Sequence, residues 1–83
     1  MVYIYPAVFY QGKEAVTVSF PDLACLTQGD NYLDAFKSAY EGLAFHLYGM
    51  IKDGDELPAP SRLEDIPLEK GEALALIEVD LEE

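Results

Sequence analysis

Cys25 and His46 are the two side chains whose chemistry could support nucleophilic catalysis, because a thiolate beside an imidazole is the reactive pair of many hydrolases. Such a pair needs a hydrogen bond between the two side chains and a third group that orients the imidazole. Sequence alone shows neither feature; it places Cys25 in a predicted loop and His46 near the rim of a predicted helix face. We interpret them as a packed thiol and a surface histidine.

The carboxylates are numerous, but they are not spaced as metal ligands. Asp53, Asp55 and Glu56 lack the spacing of a calcium-binding loop and are better explained as the solvated end of a helix. The sequence has neither a Gly-rich phosphate loop nor the paired cysteines of a zinc site. We therefore expect no catalytic, cofactor-binding or metal-binding residues, and a protein that is not an enzyme.

The charge of the chain is strongly negative and unevenly distributed. The net charge is −11, and residues 53–83, with eleven acids and two bases, contribute −9 of it. Direct binding to nucleic acid is disfavoured, because no basic patch is present to neutralise phosphates. An acidic surface of this density suits a basic protein partner, although solubility alone is the simpler explanation of the charge.

The length and composition indicate one domain over residues 1–83, with 51% hydrophobic residues. No apolar run is long enough to cross a membrane, and the amino terminus lacks the basic region of a signal peptide. The single cysteine, Cys25, cannot form an internal disulfide. We therefore expect a cytoplasmic protein.

Residues 31–54 are predicted to form a long α-helix. Asn31 is a suitable N-cap, Asp34 places a carboxylate in the first turn, and Gly54 is suited to end the helix. Apolar residues recur at steps of three and four, which places them on one side of the helix. We expect this stripe to face the core: Leu33, Phe36, Ala39, Tyr40, Leu43, Ala44, Leu47, Met50 and Ile51.

Two aromatic residues interrupt the polar side of this helix. Phe45 and Tyr48 lie one turn apart, and Gly42 and Gly49 lie beside them at a seven-residue interval. They are either ordinary exposed apolar residues or a docking surface on which another backbone comes close. We take Phe45, Tyr48, Gly42 and Gly49 as the candidate partner-binding residues.

The remaining elements are predicted to be strands, in the order strand, strand, strand, helix, strand. Residues 2–10, 14–20 and 26–29 form the first three, antiparallel to one another, and residues 73–81 form the last. A strand reached through a helical crossover is expected to run parallel to its neighbour, so we expect the last strand to be parallel to the first. The fold class is α+β.

One helix covers only one face of such a sheet, so the other face is expected to remain open. Both sides of the first strand are apolar, and we assign Tyr3, Tyr5 and Phe9 to the open face. An exposed apolar face usually marks an association surface. These three residues are therefore the candidate interface of a homo-oligomer.

Several short motifs in order resemble the HicB family of antitoxins over essentially the whole chain. They are Tyr5-Pro6-Ala7-Val8-Phe9, Val18-Ser19-Phe20-Pro21-Asp22-Leu23, Thr27-Gln28-Gly29-Asp30, Tyr48-Gly49-Met50, Asp53-Gly54-Asp55-Glu56-Leu57-Pro58 and Ile77-Glu78-Val79-Asp80. The resemblance implies a partial ribonuclease-H-like domain that binds and blocks HicA, a small basic toxin that cleaves messenger RNA. The chain departs from the family pattern at Ala24, where the family usually has Pro-Gly before the cysteine.

The resemblance also bears on catalysis and DNA binding. A working ribonuclease-H-like site needs acids that converge on two metal ions, whereas the first strand has no acid and Asp80 lacks that partner. Many family members continue into a domain that binds the operator. Because only Glu82 and Glu83 follow the last strand, we expect no DNA-binding domain here.

Two functions remain open at this point. The first is an antitoxin that inhibits a HicA-like toxin by masking its catalytic or RNA-binding surface. The alternative is a stand-alone HicB-like module that self-associates or senses a ligand and has no toxin.

Overall fold

The computed structural model describes residues 1–82, which form a four-stranded sheet with one long helix on one face. The elements, in chain order, are β1 (Val2–Gln11), β2 (Val16–Phe20), β3 (Cys25–Gly29), α1 (Tyr32–Lys52), a short 3-10 turn (Leu63–Asp65) and β4 (Glu72–Asp80). The order of strands across the sheet is β3-β2-β1-β4. The predicted α+β class and the order of elements are confirmed.

All neighbouring strands are antiparallel, including β4 against β1. Glu72 pairs with Tyr10 and Asp80 pairs with Val2, so β4 starts at the end of the sheet where β1 finishes. The prediction of a parallel last strand is therefore wrong. The reason is the connection of residues 53–71, which returns the chain to the end of the sheet where α1 began.

The ends of α1 are set by local chemistry, as predicted. The Asn31 side chain accepts a hydrogen bond from the Asp34 amide at 2.9 Å, which satisfies one of the free amides of the first turn. At the other end Lys52 lies in the last turn, and Gly54 adopts a φ of +77°, which is costly for other residues.

The helix is rotated relative to the predicted core face. Its buried residues are Ala35, Ala39, Leu43 and Leu47. Leu33, Phe36 and Tyr40 were predicted to face the core, but they are 68%, 44% and 49% exposed. Small residues at the centre of the contact allow the helix to approach the sheet closely, and this close approach pushes the larger side chains to the flank.

The covered face of the sheet is the one that carries Tyr3, Tyr5 and Phe9. Tyr5 and Phe9 are each 2% exposed in the core, and Tyr3 packs against it. The Phe9 ring stacks on Phe36, with 4.6 Å between the ring centroids. The assignment of these three residues to an open face, and hence to an oligomer interface, is therefore wrong. Both sides of β1 are apolar, so alternation gave no indication of which side α1 would cover.

Two glycines allow the helix to lie close to β3. A Cβ on Gly29 would lie 2.3 Å from the Ala35 amide nitrogen, and a Cβ on Gly42 would lie 2.7 Å from Thr27 Cγ2. The first distance is too short for any side chain, since backbone is the obstacle. The junction between β3 and α1 therefore requires glycine at position 29.

Thr27 provides a stability prediction. Its Oγ1 atom is buried without a hydrogen-bond partner in the part of the chain that the structure describes. Thr27→Val keeps the shape of the side chain and removes this unsatisfied group, so we expect it to raise the free energy of unfolding by about 1 kcal/mol.

The matched control for this prediction is Thr17→Val, on the outward side of β2. Thr17 is half-buried, so the same substitution there should change stability by less than about 0.5 kcal/mol. Urea unfolding of both variants measures the difference. A loss of stability in Thr27→Val would show that the hydroxyl is satisfied in solution.

Hydrogen bonds at Pro58 and Ser61 attach the middle of residues 53–71 to the sheet and its turns. The Tyr5 hydroxyl donates to the Pro58 carbonyl oxygen at 2.6 Å, and burial together with the charge of Asp22 raises the pKa of Tyr5. The Ser61 amide donates to Asp22 Oδ2 at 2.8 Å, and the Ser61 hydroxyl donates to Asp22 Oδ1. The connection is thus fixed against the helix-covered side of β1 and the β2–β3 turn.

Candidate protein-binding surface

The exposed side of α1 carries the two aromatic residues predicted from the sequence. Phe45 is 82% exposed and Tyr48 is 57% exposed, although α1 belongs to the best-packed part of the molecule. A phenylalanine exposed to this extent gains little from folding, because most of its surface stays in water. We call Phe45 and Tyr48 the helix ridge.

A shallow hollow lies on each side of the helix ridge. One is about 250 Å³ in volume and is lined by Phe45, His46, Gly49, Met50, Asp53 and Asp55. The other is about 190 Å³ and is lined by Tyr48, Ile51, Lys52, Leu81 and Glu82. Apolar rings between recesses that have charged rims can anchor a partner side chain and orient it by charge.

The charge next to Phe45 is negative. Asp53 and Asp55 follow the last turn of α1, where the helix dipole adds further negative potential. A basic group on a partner would therefore be attracted to this end of the helix.

The two candidate glycines differ in their surroundings. A Cβ at Gly49 would meet nothing within 4 Å, so this position is open and leaves room for another molecule. Gly42 instead faces Thr27 of β3, and its missing side chain serves the internal contact between helix and sheet. The prediction that Gly42 and Gly49 form one exposed strip beside the ridge is wrong for Gly42.

The outer face of the sheet exposes a different apolar set from the one predicted. Large residues here point away from α1 and are between 41% and 75% exposed: Val2, Ile4, Tyr10, Leu26 and Leu76. These residues can be identified as exposed only once it is known which side of β1 is covered by α1. Leu74 and Leu76 alternate with Ala73 and Ala75 in β4, and this large-small alternation was a usable signal that the sequence reasoning missed.

Cys25 and Asp80 were considered for chemistry from the sequence, and the structure gives the surroundings of each. Burial raises the pKa of the Cys25 thiol, which is opposite to the shift expected of a nucleophilic cysteine. The Asp80 carboxylate is exposed and lies 3.1 Å from the amino-terminal nitrogen of Met1. Within residues 1–82, no three His, Cys, Asp or Glu side chains are grouped so that they could hold a metal ion.

Comparison with protein families adds a direct assignment. A family model described as the HicB-like antitoxin of bacterial toxin-antitoxin systems matches residues 5–83. The chain belongs to the HicB-like antitoxin family. This confirms the resemblance deduced from the short motifs.

Solved structures similar to this HicB-like chain come from toxin-antitoxin complexes. A chain of the Toxin-Antitoxin complex from Streptococcus pneumoniae has a TM-score of 0.87 and 26% identity, with 96% of this chain and 70% of that chain covered. A chain of the HicA3 and HicB3 toxin-antitoxin complex has a TM-score of 0.76 and 30% identity, with 95% and 100% covered.

A curated relative comes from a phage. The 14.9 kDa protein of the rep-hol intergenic region of Haemophilus phage HP1 (strain HP1c1) is 32% identical over 82 residues. The alignment covers 94% of this chain, but the chain spans only 62% of that relative's length. In the described part of the HicB-like chain, no helix is both long and apolar enough to span a membrane.

Proposed function

We propose that this HicB-like chain is the antitoxin of a type II pair and inhibits a small basic HicA-type toxin by covering its catalytic or RNA-binding surface. Membership of the antitoxin family and the similarity to chains of two toxin-antitoxin complexes support a toxin as the partner. The observation that carries the proposal for this chain is Phe45, which is 82% exposed on the side of α1 opposite its buried residues.

The chemistry of the surface fits a basic partner. The helix ridge supplies apolar contact area, and Asp53 and Asp55 place negative charge at its border. The chain as a whole carries a net charge of −11, which speeds the approach of a positively charged protein. The toxin's RNA-binding surface must itself be positive, so an acidic protein that docks there excludes RNA directly.

The proposed inhibition is by occupancy and requires no chemical step. The antitoxin buries the surface that the messenger RNA needs, so cleavage falls in proportion to the fraction of toxin bound. It follows that one equivalent of antitoxin should suppress the toxin fully once both are well above the dissociation constant.

The test is co-expression of this chain with the small basic protein encoded by the neighbouring reading frame. We expect a complex that survives size-exclusion chromatography at about 1 µM, and stoichiometric loss of mRNA cleavage in a purified assay. Failure to form a complex at that concentration, or a complex that cleaves mRNA at the rate of the free toxin, would contradict the proposal.

The outer sheet face favours a second candidate, a self-associating module without a toxin. Leu76 pairs with Pro6 across β1 and β4, and Ile4, two residues before Pro6, lies on the same face. Ile4 and Leu76 are 41% and 54% exposed. This candidate predicts a homo-oligomer that buries Leu76 and no affinity for the neighbouring basic protein. The co-expression experiment therefore separates the two candidates.

A further inference from the structure

The outer edge of β4 is long, and no strand within residues 1–82 pairs with it. β4 is the last strand of the sheet and spans nine residues, Glu72–Asp80. Between residues 1 and 82, the one backbone hydrogen bond that reaches β4 from outside the sheet joins the Glu72 amide to the Glu69 carbonyl oxygen, within the preceding turn. The remaining outward amides and carbonyls of this edge are therefore available to another strand.

Three of the five side chains that β4 directs to the uncovered face are acidic, and the other two are Leu74 and Leu76. Glu72, Glu78 and Asp80 lie on the uncovered face, because their register partners Tyr10, Ile4 and Val2 do. No lysine or arginine occurs in β4. The other edge strand, β3, has no charged residue in Cys25–Gly29, so the two edges of the sheet differ in chemistry.

An apolar groove lies on α1, on the side of the helix that carries Phe36. It has a volume of about 460 Å³ and is lined by Phe36, Lys37, Tyr40 and Glu41. Phe36 stacks on Phe9, and Phe9 is the register partner of Ala73, so the groove lies next to the start of β4. Ala73 is exposed although it points toward the helix side, which shows that α1 leaves this corner uncovered.

A second copy of this chain is a poor occupant of the edge. Antiparallel pairing of all nine residues is symmetric about Leu76, which places Glu72 of one copy opposite Asp80 of the other at both ends. Like charges directly opposite each other destabilise a strand pair. Acidic side chains on an edge are also a common means of preventing such self-pairing.

We infer that the β4 edge accepts an extended segment of the basic partner protein as a fifth strand. The segment alternates Lys or Arg with apolar side chains. Three of its basic groups lie opposite Glu72, Glu78 and Asp80, and its apolar side chains face the helix side, toward Phe36 and Tyr40. Main-chain hydrogen bonds supply affinity and the alternation supplies selectivity. For the identity of the partner, this inference rests on the proposed function.

The edge and the helix ridge are continuous, so one partner can reach both. Leu81, which directly follows β4, lines the same hollow as Tyr48 of the helix ridge. A protein that binds the helix ridge therefore also reaches the end of β4.

The inference can be tested without the toxin by titrating the full chain with a synthetic nine-residue peptide of alternating lysine and valine, the length of β4. Amide chemical shifts and hydrogen exchange report where the peptide binds. We expect shifts and slowed exchange along β4 and no slowing in β3. One control peptide has the same side chains with alternate amides N-methylated, which removes the hydrogen-bond donors of one edge. The other control peptide alternates glutamate and valine.

Two charge variants complete the test. Glu78→Lys should weaken binding of the lysine peptide about tenfold relative to Glu14→Lys, which changes the net charge equally on the exposed β1–β2 turn. Equal losses in the two variants, shifts confined to other surfaces, or undiminished binding of the N-methylated peptide would each overturn the inference.

The complex separates this inference from the proposed function. If the co-expressed toxin binds but the β4 amides exchange hydrogen as fast as in the free chain, the added strand is disproved and the antitoxin role stands. If the chain binds the lysine peptide along β4 but forms no complex with the neighbouring protein, the antitoxin role is disproved instead.

Discussion

Leu43→Ala is expected to lower the free energy of unfolding by about 2 to 5 kcal/mol. Leu43 is fully buried at the centre of the contact between α1 and the sheet. The substitution removes apolar contacts and leaves a cavity that the surrounding backbone can only partly close. In a fold of this size such a loss is a large share of the total stability.

Urea unfolding followed by circular dichroism measures this change, and Phe45→Ala is the matched control. It lies in the same helix and removes a larger side chain, but that side chain is 82% exposed, so the change should stay within about 0.5 kcal/mol. Should Phe45→Ala prove the more damaging of the two, the assignment of the helix faces would be wrong.

Phe45→Glu is expected to weaken binding of the toxin by about 2 to 4 kcal/mol, or roughly 30- to 1000-fold, while the fold is retained. The substitution replaces the most exposed aromatic ring of the helix ridge with a charge that must be desolvated in the complex. Isothermal titration with the purified toxin measures the affinity.

Leu33→Glu is the control for this second experiment. It introduces the same acid at an exposed apolar position of α1, 68% exposed and about 18 Å away along the helix axis. Its affinity should remain close to that of the wild type. Equal losses in both variants would mean that added negative charge, and not the helix ridge, is responsible.

The ends of the helix could be predicted from sequence because they depend on local chemistry. Asn31 caps its own first turn through a hydrogen bond across three residues, and Gly54 ends the helix through its own φ angle. Neither feature needs information about the sheet. The strand order along the chain was predictable for the same reason, since β-branched and turn residues mark each segment.

The rotation of the helix could not be predicted because its apolar side is too broad. Leu33, Phe36 and Tyr40 belong to that side by spacing, yet the contact is centred on Ala35, Ala39, Leu43 and Leu47. Size complementarity with β3 decides the centre, and Gly42 opposite Thr27 is the residue that permits the close approach. A period of 3.6 residues locates the apolar side of the helix, but it does not indicate which residues of that side pack against the sheet.

The same limitation explains the errors on the candidate site. Tyr3, Tyr5 and Phe9 were placed on the open face because both sides of β1 are equally apolar. The direction of β4 was mistaken because the crossover rule assumes that the helix alone returns the chain, whereas residues 53–71 travel back along the sheet a second time. Phe45 and Tyr48 were recognisable as exposed because they stand among polar neighbours on one helix, which is local information.

The contact between Met1 and the end of β4 has a practical consequence for engineering. The Met1 ammonium donates to the Leu81 carbonyl oxygen at 2.7 Å and to Asp80 Oδ1 at 3.1 Å. A head-to-tail cyclised backbone would therefore need only a very short linker and would lose conformational entropy mainly from the unfolded ensemble. The same proximity means that a protein fused before Met1 or after Glu82 would lie beside the hollow lined by Tyr48. It would sterically hinder a partner that binds there.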